Sequence, residues 1–398
     1  MNIIQVGFGR YPVPYVTKKA TGGDNSLFYL SNALGSIEEC NVGFIDLKSK
    51  IHKKVKTNFK YYEVLNLNII TIKSAGLIQN IFHSVKIIIF AFLSAIKVFS
   101  IDLKEGVDIV HTHNQFVITF IYLIKKLFNR KYKIVYTTHS VVFMFPKIPL
   151  LYGPLEKFAL KCADHIIAHT DTVKKSLVNC HKVPKEKVSQ IYYGIEVEVM
   201  REYVGTHNKR RIYETDKVII YVSAIARRKN QLGLLKSLYE VVKKFPDVKC
   251  LIVGGVEDKS YLLELKKFVD KNNMSVNVIF TGAVSRKELY QLYADATISV
   301  ILSKFETQGL MLIESMAFNL PVVVSNIGPF VDVVGKENKY AIVVEADNSK
   351  MVSDAIIKLL SEPKIGQQLV SNSQQLIKEF SWEKIAQKTF DVYKRIVD

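Results

Sequence analysis

Residues 218–255, VIIYVSAIARRKNQLGLLKSLYEVVKKFPDVKCLIVGG, run from a short apolar stretch through a helix-length amphipathic segment into a second apolar stretch. Strand, helix and strand in that span form a βαβ unit, whose crossover returns the chain to pair in parallel. The same alternation continues C-terminally in NVIFTGA, ATISVIL, PVVVS and AIVVE. It also precedes the quoted stretch, in MNIIQVGF, GFIDL, DIVHTH, KIVYTTH and DHIIAHT. The polar, basic run REYVGTHNKRRIYETD (Arg201–Asp216) separates the two series and predicts a linker near residues 200–215. The expected fold class is therefore α/β, with two doubly wound parallel sheets facing across a cleft. Residues 1–200 make the first domain and 201–378 the second. The tail, 379–398, reads as one amphipathic helix with Phe380, Ile385, Phe390, Tyr393 and Ile396 on its apolar side, able to cross back onto the first domain.

A chain of 398 residues suits two large α/β domains. Hydrophobic residues at 48% and charged residues at 23% exclude a disordered tail protein and a repeat fibre. Cys40, Cys162, Cys180 and Cys250 lie far apart with no zinc-ligand spacing, which argues against a metal or disulfide framework. The first strand-like run begins at Asn2 without a basic n-region or cleavage site, so no targeting peptide and a cytoplasmic location are expected.

Charge is uneven. Lys and Arg number 55 against 37 Asp and Glu, a net +18, and residues 51–150 alone hold 14 basic and 4 acidic residues. Such a local excess implies a polyanionic partner: nucleic acid, an anionic membrane surface or a phosphorylated substrate. The window also contains the two most apolar stretches, residues 77–99 and 116–133. Lys86 and Lys97 leave only ten uninterrupted residues between them, about half of a ~20-residue bilayer span. Two readings stay open: buried helices with snorkelling lysines, or a helix lying in the interfacial plane of an anionic membrane.

Ligands of open α/β sheets bind at the carboxyl ends of the strands. There, after the strand ATISVIL, SKFETQGLMLIESMAFNLPVVVS (residues 303–325) gives loop, helix and strand, with Gly309 and Leu310 where uncapped amides and the positive dipole end favour a phosphate. Glu306 and Glu314 stand eight residues apart around that helix start, able to hydrogen-bond sugar or ribose hydroxyls or to be solvated helix residues. Arg227, Arg228 and Lys229 precede another helix start. Dipole complementation would prefer acidic residues there, so the three cations read as diphosphate ligands.

At this point the residues resemble a known family. The E-x7-E pair above, the Lys-Asn turn of ARRKNQ, VIFTGAVSRKELYQLYADA and the closing SWEKIA are similar to the retaining nucleotide-sugar glycosyltransferases of family 4. ATGGDNSLFYLSNAL, DIVHTHN, VYTTHS, ADHIIAHTDTVKKSL and IYYGIE fall in the expected order, so the resemblance covers essentially the whole chain. It implies the GT-B fold, two Rossmann-like domains, with the acceptor on the first and a UDP- or GDP-sugar on the second. It implies that Arg228 and Lys229 neutralise the donor diphosphate, that Glu306 contacts the donor sugar and that Glu314 binds ribose. Backbone around Gly309 and Leu310 would complete the phosphate site, and Gly22 and Gly23 would form a loop closing over it. Arg227, Gly254 and Val284 join the donor-binding set. His139 would stand beside the transferred sugar as a catalytic residue with Glu306, Lys229 and Arg228. His113 is the acceptor-side candidate, while a His111/His113 pair at a strand end is equally a structural feature. The chain departs from the family pattern at Ala224, where an arginine is usual, at Thr307 and Gln308 within E-G-F-G, and at Asn319, where glycine is usual.

The sequence holds no D-x-D metal triplet, and Arg228, Lys229 and the helix start at Gly309 could support a departing diphosphate without metal, so metal independence is expected. The resemblance implies a hexosyltransferase with no bound cofactor. Its acceptor would be a hydroxyl, lipid-linked or part of a surface glycan, met at the inner face of the cytoplasmic membrane. A sugar-nucleotide epimerase working without acceptor is the alternative. Nucleic acid is not an expected partner, since no aromatic-basic signature accompanies the charge.

Overall fold

The computed structural model describes residues 1–7, 22–48, 56–64, 77–139, 152–206 and 217–398. The described residues form two compact units, one from those up to Gly194 together with Trp382–Asp398, the other from those of Ile195–Ser381.

In the first unit the described strands are β1 (Asn2–Val6), β2 (Asn41–Leu47), β3 (Lys60–Val64), β4 (Ile109–Thr112), β5 (Lys133–Thr137), β6 (His165–Ala168) and β7 (Val188–Gln190). All pair in parallel in the order β3-β2-β1-β4-β5-β6-β7. The inner strands are largely apolar on both sides because helices cover both faces. Ile4, Val6, Val110 and Ile134 pack with α2 (Leu77–Glu105), α3 (Gln115–Leu127), α4 (Tyr152–Cys162) and α5 (Asp171–Asn179). Ile3, Ile109 and Val135, one residue out of phase, pack with α1 (Gly22–Leu34) and with the C-terminal helix.

The second unit opens with α6 (Val197–Thr206). Its sheet holds β8 (Val218–Val222), β9 (Lys249–Val253), β10 (Val278–Gly282), β11 (Ile298–Ile301), β12 (Val322–Ser325) and β13 (Ile342–Val344), parallel in the order β10-β9-β8-β11-β12-β13. Between them run α7 (Gln231–Lys244), α8 (Lys259–Lys271), α9 (Arg286–Asp295), α10 (Leu310–Ala317) and α11 (Gly328–Val334), and after β13 come α12 (Ser349–Ser361) and α13 (Pro363–Ile377). The helix starts follow local chemistry: Asp258 caps α8, Asn348 caps α12, and Ser285 with Glu288 closes a capping box on α9.

The segment Arg201–Asp216, expected as linker, begins instead inside α6, where Val197 and Met200 are buried; residues 207–216 lie outside the described residues. The expected tail is α14 (Trp382–Val397), a member of the first unit. There Trp382 stacks on Tyr29, with ring centroids 5.9 Å apart, and Ile385, Phe390 and Tyr393 are buried. Gly194 is glycine because a Cβ would fall 2.6 Å from the Trp382 ring.

Candidate functional site

Both sheets reverse strand order beside their first strand, at β1/β4 and at β8/β11, and in such sheets the crevice beyond the strand ends at that switch is the ligand position. In the second unit the chain leaving β8 forms a single 3-10 turn, Arg227–Lys229, and the chain leaving β11 forms the loop carrying Glu306. Tyr221, buried on β8, ties the two together. Its hydroxyl donates to the Lys229 carbonyl and accepts from the Leu302 N–H at 3.1 Å. The Lys304 N–H donates to the Arg228 carbonyl at 2.8 Å.

On that frame the Lys229 ammonium donates to the Glu306 carboxylate. Both side chains are about nine-tenths buried, so each charge depends on the other, since removing either would strand an uncompensated ion. Arg228 grips Glu257 with two hydrogen bonds of 2.5 and 3.1 Å. Those bonds hold the Glu257 carboxyl below its usual range. Arg227 turns elsewhere: it is 60% exposed, lies over the Tyr261 ring and pairs with Glu264 at 2.7 Å. The structure thus brings Lys229 and Glu306 together, with Arg228 beside them in the same turn, and leaves Arg227 on the α8 side.

Gly309 caps α10 without a side chain, at φ +84°, and a Cβ there would meet the Phe330 ring at 2.4 Å. The first amides of α10, from Leu310 on, are therefore free of any side-chain cap at the helix end three residues beyond Glu306. Gly254, after β9, has φ +151°, and a Cβ would strike the Ser223 carbonyl oxygen at 2.0 Å. That position is glycine because the ends of β8 and β9 touch through backbone. Val284 is half-buried in the loop before α9. Glu314, on α10 and buried, accepts from Tyr293 Oη at 3.4 Å and lies 3.7 Å from Arg286 Nη2. Arg286 also reaches Glu196 at 3.3 Å, so one guanidinium spans two carboxylates.

In the first unit Gly22 and Gly23 open α1, whereas the sequence suggested a loop; residues 8–21 before them lie outside the described residues. The histidines gather at the strand ends. His113, just past β4, and His139, two residues past β5, are hydrogen-bonded Nδ1 to Nε2 at 2.7 Å. His139 Nδ1 in turn meets the Tyr193 hydroxyl. His111, on β4, contacts Thr137 Oγ1 at 2.7 Å and Tyr393 Oη at 2.5 Å, and Gln5 donates to the same tyrosine at 3.0 Å. His169, past β6, stacks on Tyr193 with centroids 3.5 Å apart. Burial, with the neighbouring imidazole of His169, pushes the His111 pKa down to about 3. Burial pushes His169 down to about 3, and burial and the other histidines hold His113 well below its usual value. At neutral pH these three are uncharged. Among the described residues no group of three or more His, Cys, Asp or Glu side chains could hold a metal ion.

Residues 205–376 match the family described as Glycosyl transferases group 1, and residues 74–199 match Glycosyltransferase Family 4. An uncharacterized glycosyltransferase of Methanocaldococcus jannaschii is 27% identical over 236 residues, 58% of this chain and 59% of that protein. The alpha-monoglucosyldiacylglycerol synthase of Streptococcus pneumoniae is 28% identical over 251 residues, 59% of this chain and 55% of that protein. The chain thus spans little more than half the length of these relatives. A solved glycosyltransferase from Rickettsia africae superposes with a TM-score of 0.74 at 20% identity, covering 100% of this chain and 98% of that one. The Anabaena protein HepE in complex with UDP-glucose gives 0.68 at 16% identity, covering 99% and 100%. The chain is a GT-B-fold relative of the group 1 and family 4 glycosyltransferases.

Within this GT-B chain, sequence reasoning missed His169, Glu257, Arg286 and Glu196. His169 had a signal: DIVHTH, VYTTH and IIAH each place a histidine at or just past a strand end, so three successive strands deliver imidazoles to one side of the sheet. Glu257, Glu196 and Arg286 had none, since each acts through a partner distant in sequence.

Proposed function

We propose that this protein is a retaining, metal-independent glycosyltransferase moving a hexose from a UDP- or GDP-sugar to the hydroxyl of a lipid-linked acceptor at the inner face of the cytoplasmic membrane. The observation that carries the reading is the buried Lys229–Glu306 pair at the β8/β11 switch, three residues from the glycine-capped end of α10. Breaking the bond between the sugar C1 and the diphosphate loads negative charge on the leaving group, and preorganised positive ends lower that barrier most. In this reading Lys229, Arg228 and the α10 amides from Leu310 receive the diphosphate. Glu306 then trades its hold on Lys229 for the donor sugar, while Glu314, fixed by Tyr293 and Arg286, takes the ribose hydroxyls. His139 meets the transferred sugar and His113 the acceptor side; both imidazoles are held by neighbours, which suits positioning. The new C1–O bond forms on the face the diphosphate leaves, and the acceptor hydroxyl's proton passes to the departing diphosphate oxygen. Support for the donor class comes from HepE, whose structure holds UDP-glucose, and for the lipid acceptor from the diacylglycerol-named relative.

Thermal shift with UDP, GDP and their sugars tests the donor site. Lys229→Ala is expected to abolish the nucleotide shift while remaining folded. Glu306→Gln is expected to keep most of the shift and lose transfer by about 10²-fold or more, the loss typical of removing one charge-stabilising group. Equal turnover by Glu306→Gln overturns its role. Product NMR showing an inverted anomeric centre overturns retention, and a rearranged sugar formed from donor alone overturns transfer itself.

A further inference from the structure

The outer side of α2 carries an apolar stripe that no described residue covers. Ile88, Phe92, Ile96 and Leu103 recur at helical spacing and are each 39–59% exposed. The stripe continues onto α3: the rings of Phe92 and Phe120 lie 5.8 Å apart and those of Phe99 and Phe128 4.5 Å apart, and Leu123 and Leu127 are 50% and 77% exposed. Scattered exposed leucines need no explanation, but a contiguous two-helix face does. Its rim is cationic. The carboxylates nearby are already engaged, Asp102 with Arg130 at 2.5 Å, Glu105 with Lys60 at 3.4 Å and Asp164 with Lys125 at 2.8 Å. Exposed Lys104, Lys126 and Lys131 form no salt bridge among the described residues.

We infer that the α2–α3 face docks on an anionic lipid bilayer, apolar side chains entering the headgroup boundary and lysines meeting lipid phosphates. Two observations select this occupant. A second copy of the same face would set lysine rims against each other, which is unfavourable, whereas an anionic surface complements them. No helix among the described residues is long and apolar enough to cross a membrane, so the face lies on the bilayer and does not span it. The inference deepens the lipid-acceptor reading above, on which its biological use rests.

The test is flotation of the full chain with vesicles of phosphatidylcholine alone or with about 30% phosphatidylglycerol, at low and physiological salt. The protein is expected to float with the anionic vesicles only, less at higher salt. Phe92→Ser/Leu127→Ser and Lys126→Glu/Lys131→Glu are each expected to lower partitioning about tenfold while keeping the nucleotide thermal shift. Wild type that stays unbound, variants that float like wild type, or a wild-type dimer that Phe92→Ser splits would overturn the docking. Transfer to a detergent-dispersed lipid acceptor without flotation overturns docking alone. Flotation with transfer only to soluble sugars overturns the acceptor reading alone.

Discussion

Glu156, on α4, is buried and accepts hydrogen bonds from Tyr136 Oη at 3.2 Å and Thr138 Oγ1 at 3.2 Å, one residue before His139. Burial pushes its pKa up to about 7 from an ordinary 4.5. The unfolded chain therefore gives up this proton first. The stability Glu156 contributes is complete below about pH 4.5 and is lost as pH rises to about 7. His111, His113 and His169 act in the opposite direction. Their folded pKa values are depressed from 6.5, so the unfolded chain binds protons first as pH falls below that value, and stability drains as pH falls, for His111 and His169 down to about pH 3. Three groups against one make the histidines win on the acid side. Glu156→Gln removes only the opposing slope. It is expected to raise stability at pH 8 by on the order of 3 kcal/mol and to leave it little changed at pH 4.5. Urea melts of both proteins from pH 4.5 to 8 check this; an equal offset at every pH would refute it.

The helix α14 shows how an element can belong to a domain it does not follow. It leaves the second unit's α13, yet Trp382, Ile385, Phe390 and Tyr393 complete the core over β1, β4 and β5 in the first. Each large apolar side chain buried there is worth roughly 1.5–3 kcal/mol, and a domain's whole margin is about 5–15 kcal/mol. A chain ending at Ser381 is thus expected to lose cooperative unfolding of its first unit and bind a hydrophobic dye there, yet keep the nucleotide shift of the second. A truncated protein that melts like wild type would contradict the packing argument. The amphipathic spacing of this tail was legible, as were the inner strands, whose runs such as VVVS and IIQV are mostly apolar. The strands β3, KYYEV, and β7, VSQ, were not, because both are short and partly polar, whereas the more apolar edge strands β10 and β13 of the second sheet were. For the same reason the site was half-legible. Helix-end glycine and the two glutamates show in a local pattern, but that Glu264 would draw Arg227 away, or that Arg286 would join Glu196 to Glu314, depends on residues dozens of positions apart. At Asn319, where the family pattern prefers glycine, the backbone takes φ +58°, a left-handed conformation that asparagine tolerates.

Each unit has its own sheet and its own buried cluster, so their stabilities answer to different handles. Charge is the first. Residues 1–15, 20–194 and 382–398 carry 28 basic and 15 acidic side chains, and residues 16–19 and 195–381 carry 27 and 22. Self-repulsion weighs on the first, and salt relieves it. Under the proposed function nucleotide is the second handle, since Lys229, Arg228 and the α10 amides, its proposed ligands, all lie in residues 195–381; at 100 times its dissociation constant a ligand adds about 2.7 kcal/mol to the unit that binds it. Raising salt is therefore expected to slow amide exchange mainly in β1, β4 and β5. Adding UDP or GDP, whichever binds, is expected to slow it in β8, β11 and residues 302–312 while β1, β4 and β5 exchange as before. Hydrogen exchange read by mass spectrometry separates the two. Protection by nucleotide centred on the first unit would move the diphosphate away from Lys229 and with it the proposed chemistry.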